Sequence, residues 1–201
     1  MRKTFYIIAI LLFVGAGAMA QGMFGVSYDI GISLGETANF VSPTSFRGIG
    51  IEGRGFINDN LTYGGSFNWA VFYEEVGPQE WELDALEEGS GEGTAYGKQF
   101  RYINSFPIMA TMHYYTGQWD ETRFYFGAGV GAQKIDQRTD IGLYTINDNT
   151  WRLGFAPEIG VLIPVNFNSA LNISAKYQYA LKSGDSDAVS YLSFKIGFAF
   201  M

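Results

Sequence analysis

The sequence predicts an all-β fold: an eight-stranded antiparallel up-and-down transmembrane β-barrel. Three observations predict it. Apolar residues recur at every second position through eight segments of about ten residues or more, the length that a tilted membrane strand needs. The connections between these segments are alternately short and, for the most part, longer. Beyond residue 20, no window holds the roughly eighteen uninterrupted apolar residues that a transmembrane helix needs, so any crossing must be made by strands.

Residues 1–20 read as a signal peptide. Arg2 and Lys3 supply a positive start, Phe5 to Val14 an apolar run, and Ala18-Met19-Ala20 a small-x-small cleavage pattern ahead of Gln21. The run is too short to be a membrane-spanning anchor. Residues 21–201 then form one barrel domain. With no Cys, the chain offers neither a disulfide framework nor a thiolate metal site, and a lipid-anchored lipoprotein is not expected. Losing Arg2 and Lys3 moves the formal charge from -7 to -9, which disfavours nucleic acid as a partner. A content of 26 Gly, 17% aromatic and only 16% charged residues is unusual for a water-soluble domain.

Alternation is cleanest in four segments. Phe24, Val26, Tyr28, Ile30, Ile32 and Leu34 form the first, and Phe124, Phe126, Ala128, Val130 and Ala132 another. The last two hold Leu171 to Tyr179 and Leu192 to Phe200. Gly48 to Ile57, Leu61 to Tyr73, Phe100 to Tyr115 and Trp151 to Ile163 follow less regularly. Short turns are expected at Asn58 to Asn60, Thr116 to Glu121 and Pro164 to Ser169, and loops at Gly35 to Arg47, Glu74 to Gln99, Ile135 to Thr150 and Lys182 to Ala188. An even strand number with this alternation implies periplasmic termini and external loops. A soluble barrel would turn its polar set to water, but here that set is mostly Gly, Ser, Ala and Asn, suited to a narrow lumen. The apolar set carries no charge, as a lipid-facing band requires.

The signal peptide, the alternating strands, Phe126-Gly127-Ala128-Gly129-Val130-Gly131 and Phe194-Lys195-Ile196-Gly197-Phe198-Ala199-Phe200 together resemble the small outer-membrane β-barrel domain family of the porin-like superfamily. The resemblance spans the mature chain. It implies residence in the outer membrane of a Gram-negative bacterium, contact with outer-membrane lipids and lipopolysaccharide, and insertion by the barrel-assembly machinery. It also implies recognition of a C-terminal aromatic, a place held by Phe200, although Met201 follows it.

The inward set carries Asp29, Glu52, Glu158, Lys176 and Lys195 at similar depth, with Arg54 a little lower. Strand adjacency pairs Lys195 with Asp29 and Lys176 with Glu158. An eight-stranded barrel is only wide enough for side chains to fill it, and charges there must pair or stay hydrated. These residues therefore read as an ion-pair plug, with a narrow gated or proton-sensitive path as the alternative. His113, the single histidine, points inward near the lower end of its strand, with tyrosines rather than a serine beside it. Neither a His–Ser catalytic pair nor a zinc site is indicated, so no catalytic residue, metal ligand or cofactor is expected.

In the long acidic connection, Glu80, Glu82, Asp84, Glu87 and Glu88 could capture a divalent cation or, with Trp81, Leu83 and Leu86, face a partner; a solvated loop is the simpler reading. Gly48-Ile49-Gly50-Ile51-Glu52-Gly53 matches a dinucleotide fingerprint but lies inside an alternating strand, where that motif has no function. Tyr73, Tyr102 and Trp151 at one end, and Tyr114, Trp119, Phe167 and Phe200 at the other, suit interfacial girdles. The expected role is structural or at the cell surface, with an external partner that is not specified. The alternatives are a small pore or hydrophobic-solute transporter and, more remotely, a lipid A-modifying enzyme.

Overall fold

A computed structural model describes residues 22–82, 94–118, 120–142, 144–184 and 186–201. The predicted signal peptide and Trp119 lie outside the described residues. The elements run β1 (Gly22–Leu34), α1 (Glu36–Phe40), β2 (Thr44–Ser45), β3 (Gly48–Phe56), β4 (Leu61–Glu82), β5 (Thr94–Tyr115), β6 (Arg123–Ile141), β7 (Tyr144–Asn166), β8 (Ser169–Ala180) and β9 (Val189–Phe200). The long strands pair antiparallel in sequence order, and β9 returns to β1 from Phe24↔Phe200 to Leu34↔Ser190. That closes an eight-stranded barrel, with β2 a two-residue addition laid against Gly31 and Ile32 of β1. Closure pairs the barrel backbone without help from water.

Alternation then sorts the side chains. Phe24, Val26, Ile49, Ile51, Phe67, Ile108, Phe126, Val130, Leu153, Ile159, Ile196 and Phe198 all point outward and are exposed. In water this much contiguous apolar surface would be strongly unfavourable, at about 25 cal/mol per Å². Against hydrocarbon it is the stable arrangement.

The two ends differ. At the end holding Gly22 and Phe200, the turns are tight and internally bonded: Asn58 Oδ1 accepts the N–H groups of Asn60 (3.0 Å) and Leu61 (2.9 Å), and Asn166 Oδ1 accepts that of Asn168 (3.0 Å). At the opposite, loop end, two expected loops are largely strand. β4 and β5 pair as far as Glu82↔Thr94, with an irregularity between Val76 and Gln79 that accommodates Pro78. β6 and β7 pair as far as Ile141↔Tyr144, and Gly142 turns the chain at φ 58°. Above the apolar belt both faces of a strand can be wet, so polarity there does not mark a loop. Ile135, Gln137, Thr139 and Ile141 still alternate with Asp136, Arg138 and Asp140. The Gly35 to Arg47 connection contains α1 and β2.

Inward side chains fill the lumen in layers. Near the terminal end, Met23, Tyr115, Tyr125, Leu162, Ala170 and Ala199 pack together against Phe56. Toward the loop end, Val41, Phe72, Ile103, Ile135, Val189 and Tyr191 form a second apolar layer against Phe40. Glycine makes room for both: a Cβ at Gly31 would lie 2.7 Å from the Phe72 ring, and one at Gly160 2.5 Å from Tyr125.

The belt is testable by charge insertion. Val130→Lys is expected to destabilise the protein by about 2–4 kcal/mol in lipid vesicles, whereas Arg138→Lys above the belt is expected to be nearly neutral, as read by denaturant unfolding.

Candidate functional site

Between the two apolar layers lies a layer of charge. Glu52 and Arg54 face inward from β3, His113 from β5, Glu158 from β7, Lys176 from β8 and Lys195 from β9, and all are buried. Glu158 is the hub. Lys176 reaches it at 3.0 Å from the neighbouring strand, Lys195 at 3.4 Å and Arg54 at 3.6 Å. Tyr125 and Ser174 donate their hydroxyls to it at 3.0 and 2.8 Å, and His113 Nε2 lies 3.4 Å away. Glu52 is held by Arg54 at 2.9 Å and Lys195 at 3.2 Å, and accepts from the Asn172 amide at 3.2 Å. Arg54 also donates to the Tyr115 hydroxyl and lies 4.7 Å over the Tyr125 ring.

One expected pair is not formed. Asp29 is register partner to Lys195, but the ammonium reaches across to Glu52 and Glu158 instead. Glu52 on β3 and Glu158 on β7 each stand two strands from β9, and a lysine is long enough to pass the strand between. Asp29 is buried and accepts from Ser27 (2.6 Å) and Asn68 (2.7 Å). Gly48 and Gly50, from the apparent dinucleotide motif, lie within β3 beside these groups: a Cβ at Gly50 would meet the Asn68 amide at 2.3 Å.

Sequence reasoning named the charges but not the polar side chains that complete their coordination. Tyr115, Tyr125, Asn68, Asn172 and Ser174 all fall on inward positions, which was the available signal. Chemically the layer is a mutually neutralised lattice. The Tyr125 and Ser174 hydroxyls are given to Glu158, the carboxylate that His113 also meets, and the Thr62 hydroxyl to the His113 carbonyl. Among the described residues, no group of three or more His, Cys, Asp or Glu side chains is arranged to hold a metal.

The acidic surface suggested for the long connection is only partly described. Glu80 is exposed on the projecting part of β4 and Glu82 ends that strand, while Asp84, Glu87 and Glu88 lie outside the described residues. Nearby, Glu75 pairs with Lys98 at 2.5 Å on the exposed face. Above the lumen mouth, Glu36, Gln137, Asp148 and Asp187 line a recess of about 230 Å³. Asp148 is engaged there by Ser186 at 2.5 Å and by Arg152 at 3.9 Å. At the tip of β6, Arg138 pairs with Asp140 at 2.8 Å and holds its carboxyl below the ordinary value.

No family model matches the chain, and no curated protein matches it. Solved structures do. Neisserial surface protein A is similar over 89% of this chain and 96% of that one, with a TM-score of 0.58 and 15% identity. Ail, the attachment invasion locus protein of Yersinia pestis, matches over 89% of this chain and 96% of that one, with a TM-score of 0.51 and 11% identity. The fold is that of the small eight-stranded outer-membrane barrels. At these identities the likeness shows the architecture, and the side chains must supply the rest.

Two outcomes are expected. Glu158→Gln strands the cations around it and is expected to cost about 3–5 kcal/mol in denaturant unfolding, whereas Asp29→Asn, with hydrogen-bonding neighbours that remain, costs less. The Arg138–Asp140 pair should also respond to acid. Asp140 has the lower value in the folded state, so the pair's contribution is complete above the unfolded aspartate value of about 3.9 and is lost as pH falls through the depressed one. Corrected for the intrinsic exchange rate, amide protection at Asp140 and Thr145 is expected to fall over that interval and to stay constant at higher pH.

Proposed function

We propose that this protein is a non-conducting barrel of the Gram-negative outer membrane, with both termini in the periplasm, and that its role is structural or at the cell surface. The observation that carries this reading is the filled lumen. An ion-paired layer centred on Glu158 lies between apolar layers centred on Tyr115 and Tyr125 at one end and on Phe72 and Tyr191 at the other. Passage of a hydrated ion would require breaking a buried charge lattice, which costs several kcal/mol for each stranded group. Passage of an apolar solute would require carrying it through that same charged layer.

The exposed outward belt supports membrane residence, and the shared fold supports the outer membrane in particular. The tight turns at the terminal end and the projecting β4–β7 hairpins at the other support the orientation, because short turns characteristically face the periplasm. A surface role then falls to the projecting strands and their connections, the parts of the molecule that extend beyond the belt. The reading does not include catalysis, since His113 is buried within the ion-paired layer.

The discriminating measurement is planar-bilayer conductance of the refolded, purified protein. No steady current is expected. A reproducible large open channel from pure protein would overturn the plugged-lumen reading.

A further inference from the structure

The projecting sheet has two open edges, and they are not alike. β4 runs past its last partner on β3 at Ala70, and β7 past its last partner on β8 at Gly154. An open edge presents backbone N–H and C=O groups to any other chain unless it is guarded. The β4 edge is guarded. Its Val71 donates to the Arg47 carbonyl and accepts from the Ser45 hydroxyl, and its register slips between Val76 and Gln79. Pro78 lacks a donor, and Glu74, Glu75 and Glu80 carry charge along the strand. The β7 edge has none of these devices. From Tyr144 to Trp151 it holds no Pro, Gly, Lys or Arg, and its register with β6 is unbroken. Thr145, Ile146 and Thr150 are β-branched, which suits a strand that adds a neighbour.

The direction of the open groups follows from the last bond. Leu181 donates its N–H to the Leu153 carbonyl, where the chain leaves β8. Backbone groups alternate in direction along a strand, so those of Thr145, Asn147, Asn149 and Trp151 point to that same side. Among the described residues no backbone group meets them there, and the four side chains are exposed. The open stretch is about 20 Å long. Beside it the inner face is acidic. Asp148 of β7, Asp187 of the β8–β9 connection and Glu36 of α1 line the recess of about 230 Å³ above the lumen mouth, together with buried Ile103 and Val189. Arg152 gives donors to Thr150 and the Asp187 carbonyl and reaches Asp148 only at 3.9 Å. The Glu36 and Asp187 carboxylates have no cationic partner among the described residues. The chain's net charge of -7 has the same sign.

We propose that the β7 edge binds an extended, basic polypeptide segment of another molecule, added as a strand in the place that β8 leaves. Its backbone pairs with Thr145, Asn147, Asn149 and Trp151. A lysine or arginine on its inward side meets Asp148, Asp187 and Glu36. An apolar residue two positions away lies on that same side and meets Ile146. The inference deepens the surface role proposed above and rests on it. The free groups are backbone groups repeating every second residue, and an extended polypeptide is the chain that matches this repeat. Charge selects a basic one.

The test uses the full chain folded in phosphatidylcholine nanodiscs and a fluorescein-labelled heptapeptide of alternating threonine and valine with lysine at its centre, read by fluorescence anisotropy. Saturable binding is expected, with the amides of Asn147 and Asn149 gaining protection from exchange. N-methylation of the peptide's threonines, whose amides face β7, is expected to abolish binding, and N-methylation of its valines and lysine to preserve it. Asn147→Pro removes a donor where an open edge tolerates proline, and is expected to abolish binding as well. Asp148→Asn combined with Asp187→Asn is expected to lower affinity by about tenfold, the effect of two partly exposed ion pairs, and to erase the preference over a glutamate-centred peptide. Glu80→Gln, on the guarded β4 edge, is expected to change nothing. Absence of binding, equal binding of the glutamate peptide to the wild type, binding undiminished in Asn147→Pro, or equal loss in Glu80→Gln would overturn the proposal. Peptide-free dimers that Asn147→Pro dissolves, seen by native mass spectrometry, would assign the edge to a second copy and overturn it too. Heat-modifiable gel migration, run on every sample, separates the two failures. Identical boiled and unboiled bands would count against the barrel itself, whereas a folded barrel without peptide binding counts against the edge alone.

Discussion

The barrel of this molecule follows from the need to pair backbone hydrogen bonds where water is absent. A sheet with an apolar outer face can satisfy its N–H and C=O groups in hydrocarbon only by closing on itself, and β9 meets β1 to do so. Closure at eight strands sets the lumen's width, and at that width the interior is filled by side chains. What those side chains are then decides whether the cylinder is a pore or a post.

The filling has its own logic. Three carboxylates (Asp29, Glu52 and Glu158) and three basic side chains (Arg54, Lys176 and Lys195) share the middle of the lumen, so the layer can be neutral without a counter-ion. Desolvating them is costly, and the arrangement is tolerable because each carboxylate is held by two or more donors and Arg54 and Lys195 each meet both glutamates, while Lys176 rests on Glu158 alone among the described residues. Tyrosines bridge the layers: Tyr125 packs against Tyr115 with ring centroids 5.1 Å apart while its hydroxyl serves Glu158. Apolar packing and ion pairing are thus joined through single side chains, which favours one packed arrangement over a mobile, hydrated interior.

Outside the bilayer the constraints relax. β4–β7 continue past the last pairings of their neighbours, Gly48↔Ala70 and Gly154↔Ala180, and form a projecting sheet whose outer face is polar while Gln99, Ile103, Ile135 and Ile141 stay buried on the inner one. This is where a period-two reading based on hydropathy loses its signal, because Asp136 and Arg138 face out without penalty. The same relaxation allows carboxylates, amides and tyrosines to gather on the outer wall just above the belt. Within the belt such a cluster would be destabilising.

The sequence alone determined the strand count, the outward belt and the inward charged residues, because alternation with a period of two depends on local chain geometry and on which face meets lipid. It placed Lys176 beside Glu158, since neighbouring strands set that distance. It could not place Lys195, whose partners Glu52 and Glu158 stand on non-adjacent strands and are reached across the lumen. Nor could it set Asn104 against the Trp69 indole and in one row with Asp136, because those contacts depend on register among three strands. Pairing between neighbours is a one-dimensional property of the chain. Contact across a closed cylinder depends on its diameter and shear, which exist only once the last strand has met the first.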